Sequence, residues 1–236
     1  MKQLTLIILL ASAYAHAYPQ TARIEGTGSP ADTVNKKREM LRGHFFILAG
    51  VAFNSLKIKG DDSYYETQIP HQVKLSEAVQ VGVNFPLSSA KSTWFIAPRI
   101  SFYSLDAKGT AELHSGLATF HHESSVQSKL IINPGADIGY NFINLPAFKA
   151  YAAGGLGGLF FIGGKNTEIT TYSSGDETRS DAKPAGLAFV LNAEAGFEVG
   201  RHAGIKLGYQ PPVDIFTYKE KKVMFSTLYA GVSWIF

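Results

Sequence analysis

The sequence contains no cysteine. That removes disulfide scaffolds, zinc–thiolate centres and thiol nucleophiles together. Charge is scarce: 17% of the 236 residues are Asp, Glu, Lys or Arg, against roughly 25% in an ordinary soluble domain. The balance of that charge is only +3, with no basic stripe interleaved with aromatic residues, so nucleic acid is not expected as a partner. Long apolar runs are missing too. Beyond the short stretch at residues 4–10 nothing approaches the ~18 consecutive apolar residues of a membrane-spanning helix. Any membrane role must therefore come from strands. The glycine run Gly154-Gly155-Leu156-Gly157-Gly158 is not followed by Lys-Ser/Thr and is no phosphate loop, and no HExxH motif is present. No cofactor is expected.

What the chain does have is glycine (23), phenylalanine (16) and tyrosine (11), with hydrophobic residues at 45%. Its mean hydropathy is nevertheless near zero. Strands that are apolar on one face only produce that combination.

Residues 1–17 read as a secretory signal: Lys2 begins it, residues 4–10 form the apolar stretch, and Ala15-His16-Ala17 supplies the small-x-small cleavage site. Residues 18–42, broken by Gly26, Gly28, Ser29 and Pro30, are expected to be a flexible periplasmic segment. From Gly43 to the end the chain divides into eight alternating segments: 44–54, 75–85, 93–105, 126–142, 148–162, 185–199, 203–210 and 223–236. Because a strand sends successive side chains to opposite faces, each but the fifth reads as one apolar and one mixed face. In the second, Leu75, Val79, Val81, Val83 and Phe85 oppose Ser76, Ala78, Gln80, Gly82 and Asn84. Pro98 interrupts the third by removing a ladder donor. The glycine-rich fifth segment has faces that cannot be told apart.

The links alternate. Those at 86–92, 143–147 and 200–202 are short, while those at 55–74, 106–125, 163–184 and 211–222 are longer and polar. Strict alternation of short turns and long loops is the topology of an outer-membrane barrel, and an even strand number puts both termini on the periplasmic side. Phe85, Trp94, Phe142, Phe148, Trp234 and Phe236 gather at the short-link ends, as an interfacial aromatic girdle would.

The last strand ends on an aromatic residue. Its Tyr229, Gly231, Trp234 and Phe236 resemble the terminal signal by which outer-membrane barrels are recognised for insertion. With that motif and topology the chain resembles the small OmpA/OmpX-like outer-membrane β-barrel proteins of Gram-negative bacteria. The resemblance covers residues 43–236 and implies an all-β fold, an eight-stranded antiparallel up-and-down transmembrane barrel. It also implies residence in the cell outer membrane, contact with outer-membrane lipid and lipopolysaccharide, and delivery by the barrel-assembly machinery through the C-terminal strand.

An eight-stranded barrel has an interior that side chains can fill. The inward set is expected to hold Arg99, Lys129, Asp137, Glu194, Glu198 and Lys206, three basic and three acidic groups that must pair where water is scarce. Segments six and seven are hairpin neighbours, so Lys206 can meet Glu194 or Glu198. A salt-bridged plug is the expected result, with a narrow pore as the alternative. Some small barrels modify lipid A, and His122 and Ser124 have the i, i+2 spacing that puts a base and a nucleophile on one strand face. Nothing around them adds support, and no enzyme activity is expected. The same loop, with His114, His121 and His71, is a candidate metal cluster without a supporting motif. A secreted barrel of lipocalin type is the runner-up architecture. The expected role is structural, or one of surface contact through the long loops, which carry Tyr64, Tyr65, Tyr172, Asp176, Arg179 and Tyr218; the surface partner is not identified by the sequence.

Overall fold

The computed structural model describes residues 43–59, 71–87, 92–115, 118–145, 147–182, 187–200, 202–218 and 221–236. The signal sequence, the 18–42 segment, Tyr64 and Tyr65 lie outside them, as do the side chains of His71, His114 and Tyr218. The described residues form eleven strands and no helix: β1 (His44–Lys59), β2 (His71–Val73), β3 (Ser76–Pro86), β4 (Trp94–Ser115), β5 (Ala118–Leu145), β6 (Phe148–Ile162), β7 (Lys165–Tyr172), β8 (Glu177–Ala182), β9 (Ala188–Val199), β10 (Ala203–Tyr218) and β11 (Lys221–Ile235).

Eight of these close a ring in the order β1-β3-β4-β5-β6-β9-β10-β11, returning to β1. Every pairing is antiparallel, and the ring is sealed by β11 lying along β1 from Phe46 opposite Ile235 to Lys59 opposite Lys222. The β3–β4 ladder breaks between the Gly82–Arg99 and Phe85–Ile96 pairs. Pro98 sits at that break, where its missing N–H costs least.

The exterior is apolar. Phe53, Ile138, Leu156, Leu191, Leu207 and Trp234 are exposed, and Phe189 is 78% exposed. Such a continuous apolar surface is a liability in water and the requirement in lipid. Aromatic rings cluster at the short-turn end, with Trp94 and Tyr140 centroids 5.0 Å apart, Phe45 and Phe236 at 5.9 Å, and Phe148 and Phe197 at 6.3 Å.

The polar stretches expected as loops are in large part strand. β4 and β5 continue upward past the ring and stay paired as far as Ser115 opposite Ala118. β7 extends β6 along upper β5, β8 pairs with β7, and β2 pairs with β4, so a β2-β4-β5-β7-β8 sheet stands above the ring. Solvent wets this sheet and removes the one-sided apolar pattern by which a strand is recognised. Thr167, Ile169, Thr170 and Thr171 supply β-branched residues that suit a strand regardless of polarity.

Two irregularities sit at one height. β5 carries an extra residue where β4 passes from Tyr103, opposite Ile131, to Leu105, opposite Ser128. At the same level the chain bends from β6 into β7 through Gly163, at φ 66. Above the bulge His122, Ser124, Val126 and Ser128 are buried; below it Ile131, Asn133 and Asp137 are. The bulge exchanges odd for even positions. Lys129, expected inside, lies within it and is exposed on the outer surface.

Inward aromatic rings rest on glycines of neighbouring strands. Tyr229 lies opposite Gly208, Phe95 opposite Gly139, Tyr151 opposite Gly196 and Phe46 opposite Gly82. A Cβ at any of these glycines would run into the ring. These glycines make room for large side chains in a narrow lumen. Replacing Gly139 with Val should cost about 2–3 kcal/mol through overpacking against Phe95. Urea unfolding followed by heat-modifiable gel migration measures it, and an unchanged midpoint would refute the packing role.

Candidate functional site

The lumen is filled in layers. At mid-height Glu194, on β9, accepts hydrogen bonds from Tyr151 Oη (3.0 Å), Tyr229 Oη (2.8 Å) and Lys206 Nζ (3.2 Å). β9 and β10 are hairpin neighbours with Gly208 opposite Glu194, which brings Lys206 within reach of that carboxylate. The Lys206 ammonium also sits 3.4 Å from the Phe46 ring centroid, a cation–π contact strengthened by the absence of solvent. From Tyr229 the network passes to Gln80 Nε2 (3.3 Å), which donates also to Ser101 Oγ (3.2 Å). Arg99 Nη1 donates to the same Ser101 Oγ (2.9 Å), and Arg99 Nε donates to Asp137 Oδ2. This chain of groups draws a side chain from β3, β4, β5, β6, β9, β10 and β11, and Phe46 adds β1. Every strand of the ring contributes.

Its charge sums to zero: Arg99 and Lys206 against Asp137 and Glu194, each at most 7% exposed. Neutral pairing is what makes burial of four charges tolerable. Of the six sequence-predicted residues, these four converge. Glu198 instead lies lower, with Lys149 Nζ at 3.6 Å. Lys129 is outside the barrel. Sequence reasoning missed Tyr151 and Lys149, which lie on the glycine-rich β6 with its indistinct faces. It read Tyr229 only as part of the insertion signal, although its hydroxyl enters the lumen network. Gln80 reads in the sequence merely as a polar-face residue of the second segment.

Above the ionic layer, Leu105, Ala107, Val126, Ile131, Leu159, Ile215, Val223 and Phe225 form a buried apolar cluster. Below it a cavity of about 380 Å³ opens at the short-turn end, lined by His44, Asn84, Asn141, Asn144, Lys149 and Glu198 among others. Glycines of β6 serve the ionic layer as well: a Cβ on Gly155 would strike Asp137, and one on Gly157 would strike Asn133.

In the upper sheet, His122 Nδ1 is 3.0 Å from Thr170 Oγ1, and Ser124 Oγ has no hydrogen-bond partner among the described residues. The His–Ser hydrogen bond of an activated nucleophile is not formed there. His121 Nε2 faces Glu123 Oε1 at 3.3 Å on the outer surface. Among the described residues no three His, Asp or Glu side chains converge as metal ligands. At the sheet's base Lys74 Nζ donates to Asp106 Oδ2 (2.8 Å) and Gln127 Nε2 to Asp106 Oδ1 (3.1 Å). The Lys74 hydrogen bond holds the Asp106 carboxyl below its usual range. The Thr167 hydroxyl does the same to Asp181, with Arg179 and Lys165 adding attraction.

The terminal signal residues sit as a closing strand requires. Trp234, Val232 and Phe236 face outward, Tyr229 and Ile235 inward. Gly231 lies opposite Gly50 of β1 and Lys206 of β10. The Phe236 N–H donates to the Phe45 carbonyl (2.8 Å).

The family model of the outer membrane protein β-barrel domain matches residues 5–236. No curated protein matches the sequence. Solved structures that resemble it include Ail, the attachment invasion locus protein of Yersinia pestis, at 14% identity and TM-score 0.40, covering 83% of this chain and 100% of that one. Neisserial surface protein A aligns at 15% identity and TM-score 0.37 over 83% of this chain and 100% of its own. The outer membrane protein OprG of Pseudomonas aeruginosa aligns at 15% identity and TM-score 0.45 over 84% and 98%.

Two outcomes follow from this geometry. Lys206→Ala strands the Glu194 carboxylate and should destabilise the barrel by about 3 kcal/mol or more. It should open no stable pore in planar bilayers, because the apolar cluster remains above; steady large conductance would contradict the layered lumen. Deleting Phe236 should lower the membrane-inserted fraction in cells while leaving strand content of the refolded protein intact by circular dichroism. Normal insertion of the truncation would remove the signal role.

Proposed function

The chain belongs to the outer membrane protein β-barrel family and resides in the cell outer membrane, and we propose that it acts there as a closed barrel whose work is surface contact through the sheet above the ring. The observation that carries this reading is the division of the molecule: the lumen is occupied at two levels, while β4, β5, β7 and β8 project beyond the apolar belt. A conducting pore needs a continuous wet path, and here an apolar layer lies across a neutral ionic one. The projecting sheet offers the opposite, an ordered display of polar groups. Tyr172, Asp176 and Arg179 are exposed on it, with His121 and Glu123 beside them.

Strands hold these groups in place before a partner arrives, which lowers the ordering cost of binding relative to a mobile loop. The delivering partner on the inner side is the barrel-assembly machinery, acting on the C-terminal strand. A structural contribution to the envelope is compatible with the same architecture.

Replacing residues 165–182 by a short turn tests the proposal. The shortened protein should keep its heat-modifiable migration, since β7 and β8 lie outside the ring. Attachment of expressing cells to surfaces under flow should fall several-fold. Undiminished attachment would overturn the surface role, and steady single-channel conductance of the intact protein would favour the pore reading instead. Unaltered lipid A masses in expressing cells are expected as well.

A further inference from the structure

The cavity at the short-turn end holds polar groups that neither the ionic layer nor the membrane accounts for. Asn144 on β5, Lys149 on β6 and Glu198 on β9 face one another across their ladders and line it. The same row continues through Gly204 on β10 to Ser233 on β11. Lys149 Nζ stands 3.6 Å from Glu198 Oε2, too far for a hydrogen bond. The two charges therefore balance while each head keeps its bonding capacity for a third group.

Gly204 leaves the place between Glu198 and Ser233 without a side chain, and a Cβ there would lie 2.8 Å from Ser233 Oγ. Ser233 is fully buried, and its hydroxyl has no hydrogen-bond partner among the described residues. On the opposite side of the ring Asn84 lines the cavity, with its Oδ1 buried and unpartnered in the same way. Buried polar atoms of folded proteins are nearly always paired, so two orphans around one cavity point to a ligand that supplies donors. His202 adds an acceptor. Its Nδ1 donates to the Ile235 carbonyl at 3.2 Å, which leaves Nε2 of the neutral ring with a free lone pair. Asn141 Nδ2 donates to the Thr93 carbonyl at 3.3 Å, which fixes the plane of that amide at the rim.

At about 380 Å³ the space lies at the small end of ligand pockets, which run from roughly 300 to 1,000 Å³. Lys149 and Glu198 cancel, so a charged ligand would bring a charge that nothing there balances. Acceptors outnumber donors, which calls for a ligand rich in hydroxyl or N–H groups. The apolar part of the lining is aromatic: Phe95 meets Tyr151 edge-on with centroids 5.5 Å apart. Tyr151 is held from above by its hydrogen bond to Glu194. A saccharide ring answers both parts of this wall. Its hydroxyls each donate and accept, and its C–H face buries apolar area against an aromatic ring.

We propose that the short-turn cavity is a periplasm-facing binding site for a neutral saccharide of one or two rings. Glu198, Asn84 and His202 accept hydrogen bonds from its hydroxyls, Lys149 donates to a ring or hydroxyl oxygen, and Phe95 underlies one C–H face. Two sources share that chemistry, a free sugar of the periplasm and the end of a cell-wall glycan strand. The site lies at the other end of the lumen from the projecting sheet and does not depend on the surface-contact reading.

The test uses the full mature chain refolded in a detergent without a sugar headgroup, with maltose, N,N′-diacetylchitobiose and glycylglycine as probes. Isothermal titration calorimetry should show saturable binding of at least one disaccharide, with Kd at or below about 1 mM. That affinity should be the same at low and high salt, because the ligand is uncharged. Tighter binding of maltose assigns a free sugar and tighter binding of the N-acetylated disaccharide a wall glycan; either upholds the site. Glu198→Gln and Asn84→Leu should each weaken binding about tenfold, whereas Lys165→Gln, exposed on β7, should leave it unchanged. Heat-modifiable migration checks that each variant is folded. Absence of saturable binding by both disaccharides, or undiminished binding in both cavity variants, would overturn the proposal. Tighter binding of the zwitterionic dipeptide, lost at high salt, would show an ionic site and overturn it as well. Loss of cell attachment alone would bear only on the preceding section.

Discussion

Every backbone N–H and carbonyl that meets hydrocarbon has to be satisfied within the wall, since lipid offers no replacement. Closure follows from that constraint, and much else follows from closure. β1 and β11, the first and last strands of the described chain, must pair with each other, which makes the C-terminal residues a structural seam. The ring cannot contain a free edge, so an imperfection such as Pro98 has to be absorbed locally. The sheet above the ring escapes the constraint because water can satisfy its outer edges. It can therefore end in a short outer strand, β8, where a membrane segment could not.

Closing so few strands leaves a lumen that must be filled, and the filling is chemically graded. Apolar side chains occupy the upper level and a charge-neutral network the middle, with a cavity beneath. The network ties groups on strands that are not neighbours: Glu194 of β9 to Tyr229 of β11, and Gln80 of β3 to the same Tyr229. Cross-links of that range hold the shape of the ring itself, whereas neighbouring backbone ladders fix only the spacing of adjacent strands. Removing a single partner is costly because a buried charge is left uncompensated.

Much of the ring was legible in the sequence because lipid on one side and a filled lumen on the other enforce a period of two. Val232, Trp234 and Phe236 could be assigned to one face for that reason. The Lys206–Glu194 pair was legible through hairpin adjacency. Legibility failed where the physics changed. Above the membrane no apolar face marks a strand, so β7, β8 and the upper halves of β4 and β5 read as loops. At the β5 bulge the parity reverses within one residue, and nothing in the local composition announces it; Lys129 was misplaced in consequence. Along β6 glycine conceals which side is inward, hiding Tyr151 and Lys149. The partnership of Arg99 with Asp137 depends on the register of the long β4–β5 hairpin, which alternation alone does not specify.

The two tryptophans of the sequence, Trp94 and Trp234, both stand at the short-turn rim and are 51% and 48% exposed. Neither the projecting sheet nor the ionic layer contains an indole. Intrinsic fluorescence of the folded protein is thus an optical gauge of a single leaflet. It responds to the polarity and quenchers at the periplasmic interface and is blind to events at the cell surface.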